Sequence, residues 1–172
     1  MFPLPAEVEA VFNEFRTCEF TTLAKDGTPL TWPLTALFEP APEPGRFLIT
    51  TSIGFPQKAF NIRRDPRVSL LFSNPTGSGL STPPAVLVQG EASVSDTFDV
   101  SPGKNEALRK CWLHIMRFQP FSLIYSNDLL SHYLYDWYFM RLLISVTPRR
   151  IYWWERGDFT QTPQELEVNH VG

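Results

Sequence analysis

RFLITTSIGFPQKAFNIRRDPRVSLLF, residues 46–72, is the stretch that decides the fold. Phe47, Leu48 and Ile49 are β-formers and predict a strand. Thr50, Thr51 and Ser52 then place three consecutive hydroxyls at the strand end. Gly54 loosens the backbone, and Pro56 suits the first turn of a helix, where a missing N–H costs nothing. In that short helix Ala59, Phe60 and Ile62 form an apolar side, with Asn61, Arg63 and Arg64 expected in water. Asp65-Pro66 ends it, because a residue before proline is pushed out of the α region. Val68, Leu70 and Phe72 then alternate in a largely buried strand. Hydroxyls, helix-start N–H groups and Lys58 thus share a small volume. Such a volume is either an anion site, best suited to phosphate, or an ordinary N-capped helix with a surface lysine.

Lys58-Ala59, Ile62 and the run Pro66-Arg67-Val68-Ser69-Leu70-Leu71-Phe72 resemble the flavin-binding segment of the pyridoxamine 5′-phosphate oxidase-like family. The resemblance covers residues 16–96 well and the last strands loosely. It implies a mainly β fold with flanking helices: an antiparallel FMN-binding split β-barrel of six or seven strands. It also implies a homodimer with the cofactor at the subunit interface and a small-molecule substrate. Relatives include flavin reductases, deazaflavin (F420)-dependent reductases and haem-handling proteins, so F420 and haem are the alternatives to FMN. The implied reading is an FMN-dependent oxidoreductase in which the flavin carries the reaction. An F420-dependent reductase or a non-catalytic flavin- or haem-binding protein are the other two. The resemblance places the flavin ring against the second strand, making Trp32, Pro33, Leu34 and Thr35 candidate cofactor contacts. Thr50, Thr51, Ser52, Gln57 and Lys58 are the candidates around the phosphate, and Gln89 resembles a polar contact before a strand glycine. The oxidases of the family use a second-strand arginine on the phosphate. No arginine lies between Arg16 and Arg46 here, so Lys58 would carry that charge with help from Arg63 or Arg64.

Around this segment the chain alternates strands and loops before turning helical. Residues 5–15 predict a helix with Val8, Val11, Phe12 and Phe15 on one face, read as a lid on the barrel. Cys18–Ala24 and Leu30–Phe38 predict a hairpin about Asp26-Gly27, with Pro33 marking an edge or a bulge. Residues 39–45 form a proline-rich loop, and 74–84 a Gly/Ser/Pro crossing loop without the Lys-Ser/Thr of a P-loop. Ala85–Asp96 predicts a long strand with Gly90 as a bulge or close-approach point. A helical insert is expected at about 103–140 within a single domain spanning 1–172. Its first helix would bury Leu108, Trp112, Ile115 and Met116, and its second, over 126–140, is aromatic nearly all round. Arg141–Thr147 and Arg149–Glu155 predict two closing strands. The family resemblance implies that an aromatic or arginine here reaches a cofactor on the other subunit, making Arg149, Arg150, Trp153 and Trp154 candidates of which alternation lets only one set face inward; residues from Gly157 onward read as a loose tail.

Fourteen Phe, five Trp and five Tyr in 172 residues supply a large core or interface, and a chain of this length buries about 70% of its unfolded surface. A net charge of −3 gives no basic footprint for nucleic acid. No apolar run approaches the ~20 residues of a membrane span, and no secretory signal opens the sequence; the expected setting is the cytoplasm. Cys18 and Cys111 have no metal or redox spacing and are expected to stay reduced. His114, His132 and His170 are isolated, without the spacing of a helical metal pair. A structural or exposed role is the default for each, with proton donor or haem ligand the alternative for His132. No residue is assigned as catalytic and no metal site is expected.

Overall fold

The computed structural model describes residues 4–41, 45–96, 105–118 and 140–168. The second helix expected over 126–140, except for Met140, lies outside these residues, as do the 119–125 segment, His132 and His170. In chain order the elements are α1 (Ala6–Glu14), β1 (Cys18–Leu23), β2 (Pro29–Leu34), β3 (Leu37–Glu39), β4 (Arg46–Ser52), α2 (Gln57–Arg64), β5 (Arg67–Phe72), β6 (Ala85–Val94), α3 (Glu106–Phe118), β7 (Arg141–Trp154) and β8 (Gln164–Glu167).

The strands form one antiparallel sheet in the order β2-β1-β5-β6-β7-β4-β3, with β8 added beside β7. Its two end strands, β2 and β3, are joined through only Thr35 and Ala36, so the sheet curls into a half-barrel flanked by the three helices. The sequence predicts one strand over Leu30–Phe38. The chain instead breaks at Thr35, whose buried hydroxyl donates to the Arg16 carbonyl at 2.9 Å. That bond turns the backbone from one end of the sheet to the other. The Asp26-Gly27 turn forms as expected, with Gly27 at φ +85° and the Thr28 N–H on the Asp26 carboxylate.

Inward residues of the curled sheet meet α1. The Phe12 ring centroid lies 4.8 Å from that of Phe47, edge to face, 5.0 Å from Phe38 and 5.2 Å from Phe72. Val8, Val11 and Phe15 are buried beside it. These contacts make α1 part of the core, because four aromatic rings gain both apolar burial and favourable edge geometry. On the other side, α3 packs against β3 and β4. It is tied down by Lys110 on Glu39 at 2.9 Å and Arg117 on Glu14 at 2.7 Å. Its buried residues are Leu108 and Cys111. The predicted stripe of Trp112, Ile115 and Met116 is only half-buried, because α3 lies against the outside of a short strand. Both cysteines are free and buried, and burial pushes the Cys111 thiol up to about 12.

The end of the chain differs from expectation in two ways. The two predicted closing strands are one 14-residue strand, β7. Pro148 is accommodated because the register steps from Gln89↔Arg150 to Gly90↔Pro148, leaving Arg149 as an extra residue. A Cβ on Gly90 would stand 2.4 Å from the Thr147 carbonyl oxygen, so only glycine allows this approach. Inward burial then passes from Leu142, Ile144 and Val146 to Ile151 and Trp153, one residue out of phase. The predicted loose tail contains β8, which pairs with Arg150–Trp153. The described residues therefore hold eight strands rather than six or seven.

Candidate functional site

Three elements build the site: the end of β4, the start of α2 and the first residue of β7. Residues 52–56 turn the chain between β4 and α2. The Phe55 N–H bonds the Ser52 carbonyl at 3.0 Å, the Gly54 N–H donates to Ser52 Oγ at 3.2 Å, and Thr51 Oγ1 donates to the Phe55 carbonyl at 3.2 Å. Pro56 then takes the N-cap position, so α2 begins with no side-chain cap. Its first-turn N–H groups carry the positive end of the helix dipole.

Helix α2 is held from beneath by an unexpected residue. Asn61 is fully buried, contrary to its predicted exposure, while Phe60 is 57% exposed. The Asn61 amide donates to Thr22 Oγ1 on β1 at 2.9 Å and accepts from Gln57 Nε2 at 3.0 Å. Water is replaced on both sides of the amide, which is the condition for burying it. This pins the helix start over the sheet and fixes where Lys58 emerges.

Lys58 is half-buried, with its ammonium 4.9 Å from the centroid of the Trp32 ring on β2. Burial pushes the Lys58 amine below its ordinary range, and the Arg141 charge pushes it further the same way. Arg141 sits opposite Ser52 in the β4–β7 register, and its charge is felt at Lys58 across 83 residues of sequence. Lys58 makes no ion pair among the described residues. Lys58, an aromatic face and an uncapped helix start form a donor set suited to an anion, phosphate included.

The predicted site residues divide accordingly. Trp32 and Lys58 come together, with Ser52 opposite Arg141. Gln57 is at the helix start, exposed, with its amide on Asn61. Thr51 points inward beside the core while Thr50 and Ser52 lie on the other face, since strand residues alternate. The three hydroxyls therefore do not converge as a group. Of the remaining β2 candidates, Leu34 packs against the core, Pro33 is exposed on the edge strand, and Thr35 is held by Arg16. Gln89 lies on the outer face with its register partners Ser69 and Arg150, away from the inward rung of Trp32, Phe20, Leu70 and Val88. It borders a groove of about 400 Å³ shared with Thr21, Ser69 and Arg150. Arg63 and Arg64 bond backbone carbonyls away from Lys58: Arg63 donates to the Ser95 carbonyl at 3.2 Å, and Arg64 to the Leu23 carbonyl. The bulge turns both Arg149 and Arg150 outward, where they meet Glu91 and Glu167; Trp153 is buried and Trp154 packs on Phe159. Arg141 was missed because only pairing between β4 and β7 brings it near. A basic residue opening a strand was the one local signal.

Among the described residues no group of three or more His, Cys, Asp or Glu could hold a metal ion, and no helix is long and apolar enough to cross a membrane. His114 lies on α3 with its ring 4.9 Å from Phe118, edge to face. Burial lowers its pKa.

A curled antiparallel sheet with an anion-suited cluster at the start of the helix after β4 defines the split-barrel class. Within that class the chain belongs to the pyridoxamine 5′-phosphate oxidase-like family. The family model described as pyridoxamine 5′-phosphate oxidase matches residues 4–154. No curated protein matches the sequence. Among solved structures, a conserved hypothetical protein of Mycobacterium tuberculosis is 21% identical, with 99% of this chain and 95% of that one covered at a TM-score of 0.61. An F420 reductase is 17% identical over 87% of this chain and 98% of its own, at a TM-score of 0.55. A haem-binding protein of Mycobacterium smegmatis is 14% identical over 97% of this chain and 60% of its own, at a TM-score of 0.56. At these identities the likeness is one of fold.

Proposed function

We propose that the protein is an FMN-binding oxidoreductase acting on a small molecule, with the FMN phosphate held by Lys58, Arg141 and the first N–H groups of α2. The observation that carries this reading is the half-buried Lys58 ammonium at an uncapped helix start, 4.9 Å from the Trp32 ring and without an ion pair among the described residues. Burial opposes its charge, and an anion beside it relieves that cost. Trp32 shields one side of Lys58 from water and strengthens its interaction with a bound anion. Ser52, opposite Arg141, offers a hydroxyl beside the phosphate. A bound flavin would supply the hydride and electron transfer, and this chain's residues would bind and orient it.

The proposed assembly is a homodimer with the cofactor at the interface. Gln89 faces away from Lys58 within one protomer, so it would reach a cofactor held by Lys58 only from a second copy. A deazaflavin with an acidic tail is the second reading, favoured by the structural likeness to an F420 reductase. The same two cations would meet that tail.

Absorption spectra and Trp fluorescence titrations with FMN and F420 test the proposal. FMN binding that falls roughly 10- to 150-fold in Lys58→Ala and in Arg141→Ala, the loss of about 1.5–3 kcal/mol expected of a charge-assisted bond, supports it. Unchanged FMN affinity in both variants removes the phosphate assignment. Preferential binding of F420 moves the protein to the second reading.

A further inference from the structure

The two non-glycine residues with positive φ among the described residues are Thr82, at +49°, and Arg156, at +54°. They are 74 positions apart in sequence and line the same pocket, of about 400 Å³, where β5 ends, β6 begins and β7 ends. Threonine is β-branched, and such residues take this conformation only where the surroundings impose it. The pocket lies at the far end of β7 from Arg141. Thirteen strand steps separate Arg141 from Trp154, about 40 Å at the rise of an extended chain. It is therefore distinct from the Lys58 cluster and does not depend on the flavin reading.

The lining is of two kinds. Phe15, Leu80 and Phe159 give it an apolar wall, and Thr76, Thr82 and Arg156 give it polar groups. Phe159 stays 57% exposed and packs on Trp154, with ring centroids 5.1 Å apart and the rings tilted. The Arg156 guanidinium makes no ion pair, and the hydroxyls of Thr76 and Thr82 make no hydrogen bond, among the described residues. The crossing loop that carries both threonines is fixed in place. Arg16 Nε donates to the Gly77 carbonyl at 3.1 Å, Asn74 Oδ1 accepts from the Thr76 N–H at 3.0 Å, and Ser78 Oγ accepts from the Leu80 N–H at 3.2 Å. A Cβ on Gly77 would meet the Arg16 guanidinium at 2.5 Å, so the loop and the arginine fit closely.

We propose that this pocket binds a small aromatic carboxylate. Its carboxylate sits on Arg156 and the hydroxyls of Thr76 and Thr82, and its ring lies against Phe159 and Phe15. Arginine presents a planar fork that matches a carboxylate, the volume is within the range of small-ligand pockets, and polar and apolar groups share the lining about equally, as a ligand with one charged end and one ring requires.

The test uses benzoate, phenylacetate and indole-3-acetate as probes, with benzyl alcohol as the uncharged control, read by calorimetry and thermal shift on the full chain. Wild-type protein is expected to bind at least one carboxylate below about 10 mM and at least tenfold better than benzyl alcohol. Arg156→Gly is expected to lose that binding tenfold or more while its Tm rises, since glycine accepts the positive φ without strain. Lys58→Ala is expected to keep it. Absence of binding by all three carboxylates, equal binding of benzyl alcohol, or full affinity in Arg156→Gly would each overturn the proposal. Loss of binding in Lys58→Ala would overturn it too, by placing the probe at the other site.

Discussion

The Phe12 cluster and the Lys58 cluster are built on opposite rules. Around Phe12, rings from β3, β4 and β5 each lie within 5.2 Å of the Phe12 ring, and every contact favours the folded state. Around Lys58, burial and Arg141 both act against the charged amine, so the folded state disfavours the ammonium. The first region exists to hold the barrel and the second is held by it. Asn61 marks the boundary: it belongs to the helix that presents Lys58, yet it is buried and bonded like a core residue.

The largest expected effect comes from emptying the core. Phe12→Ala should destabilise the protein by about 3–5 kcal/mol, the cost of removing a buried phenyl group, measured by denaturant unfolding. A loss under about 1 kcal/mol would mean that α1 is a detachable lid and the contrast fails. The next largest effect falls on binding. Lys58→Met should lose about 1.5–3 kcal/mol of FMN affinity with no drop in Tm, since it removes a group that burial and Arg141 oppose. The sign follows from its lowered pKa. The folded state disfavours the ammonium, so stability rises as pH climbs through the window from the lowered pKa to the ordinary lysine value of 10.5. That rise should vanish in Lys58→Met; a fall in Tm would show that Lys58 is structural instead.

Asn61→Ala should cost about 1–3 kcal/mol by leaving the Thr22 hydroxyl buried without its partner. It should also weaken FMN binding through a displaced α2. Stability lost with binding intact would separate the helix anchor from the site. The smallest effect belongs to Asp65, whose carboxyl the Arg67 side chain and then its N–H pull down to about 2. Its contribution is present above the ordinary carboxylate pKa of 3.8 and is lost as pH falls through about 2. Asp65→Asn should remove that acid limb and lower neutral-pH stability by the same amount, which is small because the exposed Arg67 partner is screened by water.

The fold was legible where local chemistry and burial agree. The β4–α2–β5 unit follows from Thr-rich strand end, Pro56 and Asp65-Pro66, and the hairpin from Asp26-Gly27. What escaped were features fixed by distant partners. Asn61 reads as polar surface until Thr22 is known to lie beneath it. Pro148 reads as a strand breaker until Gly90 is seen opposite. Gln-Glu-Leu-Glu in β8 has little β-propensity and pairs only because β7 offers a free edge. The candidate site was legible in Lys58 and Trp32, which an identifiable helix start and edge strand position. Arg141 was not, since no local pattern links it to residue 58. Strand alternation also dispersed Thr50, Thr51 and Ser52, which adjacency had grouped.

Strand β7 bears on how the protein is made. It lies between β6 and β4 and donates Arg141, so a growing chain that has reached α3 still has two open strand edges and one half of its cation pair. Exposed edges recruit other strands, and pairing of residues so far apart is slow. Synthesis of residues 141–154 therefore closes the sheet and brings Arg141 to the end of β4 in one event. Ribosome-stalled chains ending before β7 should aggregate or engage chaperones, whereas chains with β7 fully emerged should not.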